Sequence, residues 1–172
     1  FGLAMHLPIA WLIVADYWVA AAAMLFVFGL FDKLDGELAR LQNRVSAGGM
    51  LLDSVTDRVK EVVLYVGIAY SFVLSGESAI FVAAVAAALG CSLLTSYLNA
   101  MGDAVMAKYK TRKHVANKAF RSGIFAFEVR MAVLFFGLLT GQLTVAVVVI
   151  ALGAAYTAFG RLAMVYGKLA DA

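Results

Sequence analysis

Histidine, cysteine and proline are nearly absent from this chain, and charge is scarce. Of 172 residues, two are His, one is Cys and one is Pro. His6 and His114 lie too far apart for metal-ligand spacing, and a lone Cys91 permits neither an intrachain disulfide nor a thiolate zinc site. Asp, Glu, Lys and Arg together supply 15% of the chain, where soluble domains carry about 25%. Hydrophobic types make up 64% against roughly 45–50% in soluble domains, and the mean hydropathy is +0.92. This composition excludes a soluble enzyme, a nucleic-acid module and a disulfide scaffold. The formal charge of +3 would suggest nucleic acid in a soluble protein; here it reads as a membrane topology signal.

A helix needs about 20 apolar residues to cross a bilayer, so spans use up the whole chain. Residues 1–172 read as one all-α domain, an integral membrane bundle with six transmembrane helices. The apolar runs are 1–15, 18–40, 50–74, 79–103, 122–140 and 143–166, with turns at Asp16, at Ser75-Gly76-Glu77-Ser78 and at Gly141-Gln142. They are long and lack the period of two that a barrel strand requires. The first run starts at Phe1, is broken by Pro8 and lacks a basic flank or a cleavage motif, so it reads as the continuation of an earlier segment rather than a signal peptide. None of the 14 Lys and Arg residues lies in the turns at Asp16, Glu77 or Gln142. The opposite side is therefore cytoplasmic, carboxyl terminus included.

Two runs break the apolar rule at their cytoplasmic ends. Asp32 and Asp35 are three apart and Asp53 and Asp57 four apart, so each pair shares a helix face. The link of residues 41–48 is short, which predicts antiparallel neighbouring helices and four carboxylates at one membrane depth. A charge there costs about 2.5–3.5 kcal/mol even on insertion scales. One resolution is interfacial pairing with Lys33, Arg40, Arg58 and Lys60. The other is two divalent cations, whose charge balances four carboxylates; all-oxygen ligation suits Mg²⁺ or Mn²⁺, and paired metals serve in-line phosphoryl displacement. Gly36 and Gly49 flank the carboxylates and leave room for a large ligand. Arg40 has the planar fork that binds phosphate.

Asp32, Asp35, Gly36, Ala39, Arg40, Gly49, Asp53 and Asp57 occupy every fixed position of D-x2-D-G-x2-A-R-x8-G-x3-D-x3-D. The stretch resembles the signature of the CDP-alcohol phosphotransferase family. That resemblance implies a membrane enzyme in phospholipid synthesis, in which an acceptor hydroxyl attacks the phosphate distal to cytidine and CMP leaves. It implies Asp32, Asp35 and Asp53 as metal ligands for Mg²⁺ or Mn²⁺, two ions per site, and Asp57 as general base and further ligand. Asp32, Asp35, Gly36, Ala39, Arg40 and Gly49 would line the CDP site. The resemblance also implies a homodimer, a cavity open to the cytoplasm and to lipid, and an amphipathic helix ahead of Phe1.

The acceptor is less legible. The loop Lys108–Arg121 is rich in Lys and Arg, either because it faces anionic headgroups or because it funnels an anionic acceptor. Lys60, Asn99, Arg121 and Arg130 are the candidate acceptor residues. An intramembrane Arg such as Arg130 is a functional candidate by default; pairing with Glu128 or a carbonyl is the structural alternative. Ser92, Thr95, Ser96, Asn99 and Asp103 recur at helical spacing and face either the cavity or a neighbouring helix. Glu128 and Arg130 resemble the Glu-x-Arg of the branch that makes phosphatidylinositol phosphate or archaetidylinositol phosphate. That branch carries Tyr-x-Arg-Ala-(Arg/Lys)-Ala-Glu on its fourth helix, where this chain has Tyr97–Asp103 without either basic residue. A CDP-lipid donor (CDP-diacylglycerol or CDP-archaeol) with an inositol phosphate, glycerol phosphate, serine or another small polar alcohol as acceptor fits these features. A CDP-headgroup donor with a lipid alcohol, or a divalent-cation transporter, is the alternative. Spacings such as Gly153/Thr157 and Ala154/Ala158 mark intramolecular helix packing or a dimer face.

Overall fold

A computed structural model describes residues 2–42, 46–108 and 125–170. Among the described residues there are six helices and no strand: α1 (Gly2–Val14), α2 (Trp18–Leu41), α3 (Ala47–Leu74), α4 (Ala79–Lys108), α5 (Phe127–Thr140) and α6 (Leu143–Ala170). They follow the six apolar runs closely. The largest boundary differences are at the start of α5, which begins at Phe127 rather than residue 122, and at the carboxyl ends of α4 and α6, which run past the apolar stretch. Local chemistry sets the ends. Ser46 caps α3 by accepting from the Gly49 amide at 3.0 Å. Gly141 ends α5 at φ 71°, a conformation only glycine adopts freely, and the Gln142 amide closes the turn by donating to the Gly137 carbonyl at 2.8 Å.

The packing order differs from one expectation. The short link predicts α2 and α3 as close neighbours, yet their backbones share little contact; α1 packs against both instead. The ends of α2 and α3 meet through long side chains, which suits a junction crowded with carboxylates. The broadest interface joins α4 to α6, and α5 lies between α2 and α6. Ala88 and Ala154 are fully buried and Ala158 nearly so, since small side chains let apolar helices approach. Gly153, Ala154, Thr157 and Ala158 thus serve packing within the chain: Gly153 lies under the Phe125 ring and Thr157 accepts from the Phe125 amide at 3.3 Å.

Polarity is inverted relative to a soluble fold. Trp11, Leu51, Ile80, Leu152 and Tyr156 are each more than 60% exposed, whereas Lys60, Glu61, Arg130 and Arg161 are each at most 6% exposed. Two helical stretches, Ala79–Val105 and Leu143–Gly167, are long and apolar enough to cross a membrane. In α2 and α3 the charges at one end interrupt the apolar stretch. α1 and α5, with 13 and 14 residues, rise only about 20 Å.

Candidate active site

The last turns of α2 and the first turns of α3 carry the carboxylates. Asp32, Asp53 and Asp57 each offer an oxygen within 4.8 Å of the other two. Their i,i+4 and cross-helix spacing places three hard anionic donors in one volume, a donor set that suits a hard divalent cation. Asp35 is exposed on α2 and is not brought into this group. A cation of the chain already serves the cluster: the Lys60 ammonium donates to Asp32 Oδ2 at 2.7 Å and to Asp57 Oδ1 at 3.1 Å. Lys60 is nearly sealed from solvent, while Asp32 and Asp57 keep 39% and 20% of their side-chain surface exposed. The exposed edge is the one a ligand reaches. Lys60, expected near the acceptor, therefore belongs to the carboxylate group, and Arg58 pairs elsewhere.

A side chain at Gly36 would meet nothing within 4 Å, so the open space expected there is present; at Gly49 it would meet the capping Ser46 Oγ at 3.1 Å. Ala39 and Arg40 continue α2 as expected, their side chains lying outside what is described, and Arg121, with the basic loop 109–124, lies outside the described residues.

Beside the carboxylates is a cavity of about 770 Å³, lined by Met50, Arg58, Thr95, Ser96, Asn99, Ala126, Phe127, Glu128, Arg130 and Arg161. Four helices contribute. From α3, Arg58 donates to Glu61 Oε2 at 2.8 Å and to Ser96 Oγ at 2.6 Å, and its guanidinium lies 5.2 Å from the Phe127 ring centre. From α5, Arg130 donates through Nε to Glu61 Oε1 at 2.8 Å and through Nη1 to the Phe125 carbonyl at 2.8 Å. Its partner is thus Glu61 and a carbonyl, with Glu128 exposed in the first turn of α5, where the helix dipole favours an acid. From α6, Arg161 donates to Asn99 Oδ1 at 2.7 Å and, at 3.4 Å, to the Thr95 carbonyl.

Thr95, Ser96 and Asn99 face the cavity as the α4 spacing suggests; Asp103 is exposed and is not among the lining residues. Arg161 brings a guanidinium to Asn99 from another helix. Glu61 and Arg161 have no role in the sequence reading, and Arg58 has one only as a partner of the aspartates. The signal for Arg161 was there, as an ionisable residue inside the last apolar run; no local spacing linked the three.

Known proteins resemble this chain in sequence and in fold. A family model for CDP-alcohol phosphatidyltransferase matches residues 1–159. A phosphatidylinositol phosphate synthase from Cutibacterium acnes is 36% identical over 86 residues, which is 50% of this chain and 41% of that protein. The protein of the same name from Corynebacterium glutamicum is 31% identical over 162 residues, or 89% of this chain and 68% of that protein. The chain therefore spans about two fifths of the first relative and about two thirds of the second. Among solved structures, the Mycobacterium tuberculosis phosphatidylinositol phosphate synthase PgsA1 superposes with a TM-score of 0.81 at 22% identity, over 96% of this chain. The match covers 82% of that chain in the form with CDP-DAG bound and 78% in the complex with manganese and citrate. At that identity the likeness is one of fold.

Proposed function

The chain belongs to the CDP-alcohol phosphatidyltransferase family, and from that premise we propose that it is a membrane-embedded transferase that moves the phosphatidyl-type group of a CDP-linked lipid onto a hydroxyl of an inositol phosphate and releases CMP. One observation carries this reading. Asp57 and Arg58 are consecutive on α3, yet one joins the carboxylate group and the other lines the arginine cavity. A nucleotide-activated phosphate at the first would lie next to an anionic acceptor at the second.

In this reading Asp57 takes the proton of the acceptor hydroxyl. The oxygen forms its bond to the phosphorus distal to cytidine, the bond from that phosphorus to the bridging oxygen breaks, and CMP leaves with the electron pair. Asp32, Asp53 and Asp57, with Asp35 one turn along α2, would hold Mg²⁺ or Mn²⁺; bound there, two such ions neutralise the diphosphate and polarise its phosphorus–oxygen bond. Lys60 holds Asp32 and Asp57 together across the two helices. The open space at Gly36 admits the nucleotide. Arg58, Arg130 and Arg161 hold the acceptor's phosphate, since guanidiniums match its oxygens. They favour a phosphorylated acceptor over serine or a neutral alcohol; glycerol phosphate is the second reading, as it presents the same phosphate.

The apolar exterior and the two helical stretches long enough to cross a bilayer support a membrane protein; the six spans rest on the apolar runs of the sequence, with the charged ends of α2 and α3 at one interface. The Lys and Arg distribution supports a cytoplasmic active site. A homodimer belongs to the same proposal and is checked by mass measurement in detergent.

The deciding experiment incubates the purified chain in lipid nanodiscs with CDP-diacylglycerol, Mg²⁺ or Mn²⁺ and one of four acceptors: inositol 1-phosphate, inositol, glycerol 3-phosphate or serine. CMP release specific to inositol 1-phosphate is expected. Release with glycerol 3-phosphate alone moves the assignment to the second reading, and no release with any acceptor overturns it.

A further inference from the structure

Glu61 is a buried acid that neither the family signature nor the transfer chemistry uses. It is fully buried on α3, and each of its oxygens is taken by a different arginine: Oε1 by Arg130 Nε and Oε2 by Arg58 Nη1, both at 2.8 Å. Both arginines line the cavity, and they come from helices far apart in sequence. We propose that Glu61 is a positioning residue, a buried fork that aims Arg58 and Arg130 at the phosphate of the acceptor. The assignment rests on the reading that the cavity takes that phosphate.

Three features argue for it. Two guanidiniums facing one cavity repel, and a carboxylate between them offsets that repulsion without occupying the cavity. The unit of Glu61, Arg58 and Arg130 keeps a net positive charge, so its attraction for an anion survives. The bonds are also distributed so that donors are left over. Arg130 spends Nε on Glu61 and Nη1 on the Phe125 carbonyl, and its Nη2 is buried with no partner among the described residues. A buried donor left unmade is unfavourable; an acceptor oxygen entering the cavity supplies its partner. Ser96 and the Phe127 ring fix the other arginine on its remaining sides, so Glu61 completes the placement rather than supplying the only restraint.

Glu61→Gln tests this with little change in volume. It leaves one carbonyl oxygen for one arginine and turns an NH₂ donor toward the other. In nanodiscs with CDP-diacylglycerol and Mg²⁺, the KM for inositol 1-phosphate is expected to rise tenfold or more, with kcat within about threefold and the KM for CDP-diacylglycerol unchanged. Inorganic phosphate should weaken as a competitive inhibitor by a similar factor. Glu61→Asp, which keeps the charge on a shorter stem, should fall between Gln and the parent. Glu61→Gln should also add little to Arg130→Gln, because the two act through one contact. A folded Glu61→Gln protein with an unchanged acceptor KM overturns the assignment, as does a fall in kcat at constant KM. If Glu61→Gln does not fold, Glu61→Asp decides by the same KM. Parent protein that never uses a phosphorylated acceptor and is not inhibited by phosphate sinks the reading of the cavity itself, an outcome distinct from failure of the Glu61 role.

Discussion

The carboxylate group and the arginine cavity are both polar sites in an apolar scaffold, but they are built in opposite ways. The carboxylates come from two consecutive helices at local spacings of three and four residues and keep an open edge. The arginines come from α3, α5 and α6, and two of them are almost fully buried. Among the described residues the clustered carboxylates have one lysine as ion-pair partner. The arginines are braced by Glu61, Ser96, Asn99 and two carbonyls before any ligand arrives. In the proposed function this difference is a division of labour: the first site takes metal and diphosphate, and the second is an anion socket whose arginines are already held in place.

The largest effect should fall on the carboxylates. Asp57→Asn removes the base proposed for the transfer, and general-base loss is worth about 10²–10⁴-fold in rate. We expect kcat to drop in that range, read as CMP release, while binding of CDP-diacylglycerol persists. A near-parental kcat would move the base elsewhere and leave Asp57 a partner of Lys60 alone.

Second in size is the socket. Arg161→Gln removes the cation that Asn99 and the Thr95 carbonyl hold. Hydrogen bonds to charged groups are worth about 1.5–3 kcal/mol, so the KM for inositol 1-phosphate should rise roughly 10–100-fold, with the KM for CDP-diacylglycerol steady. Equal loss for both substrates would mean that the two sites are one, and the comparison would fail.

How legible each region is in the sequence follows from this construction. Asp53 and Asp57 are readable because helical spacing aligns them, whereas Asp32 joins them across helices and its spacing partner Asp35 does not; the six apolar runs locate the helices. Lys60 reads in the sequence both as a partner of the aspartates and as an acceptor residue, and the choice depends on how α3 is turned toward α2, which spacing does not encode. Glu61 and Arg58 look like an ordinary helical ion pair at i,i+3; only the arrival of Arg130 from α5 makes them part of a socket. Arg130 is flagged by its place in an apolar run, but its partner is 69 residues away in sequence. Pairings at that range are set by tertiary packing.

A third test separates socket from scaffold. Gly153 lies under the Phe125 ring, where an added Cβ would come within 2.5 Å of ring carbons. Phe125 also supplies the carbonyl that holds Arg130. Gly153→Ala overpacks this contact, and such changes cost about 1–3 kcal/mol. Lower thermal stability is expected, with an acceptor KM raised less than in Arg161→Gln. A stability loss with no change in KM would show that the Phe125 carbonyl is dispensable to the socket.

The smallest effect tests the carboxylate side. Ser46 caps α3 through the Gly49 amide, seven residues before Asp53. Losing such a cap typically costs about 1 kcal/mol. Ser46→Ala should therefore lower the melting temperature by a few degrees and leave kcat within about twofold, because the aspartates lie beyond the first turn and Lys60 still ties Asp57 to Asp32. The contrast with Asp57→Asn is the point of the measurement. If the cap variant lost activity in proportion to the base variant, the helix start would be setting the aspartate geometry, and the carboxylate site would be as preorganised as the socket. If stability alone falls, the carboxylates depend on Lys60 and on ions for their order, and the two regions remain different in kind.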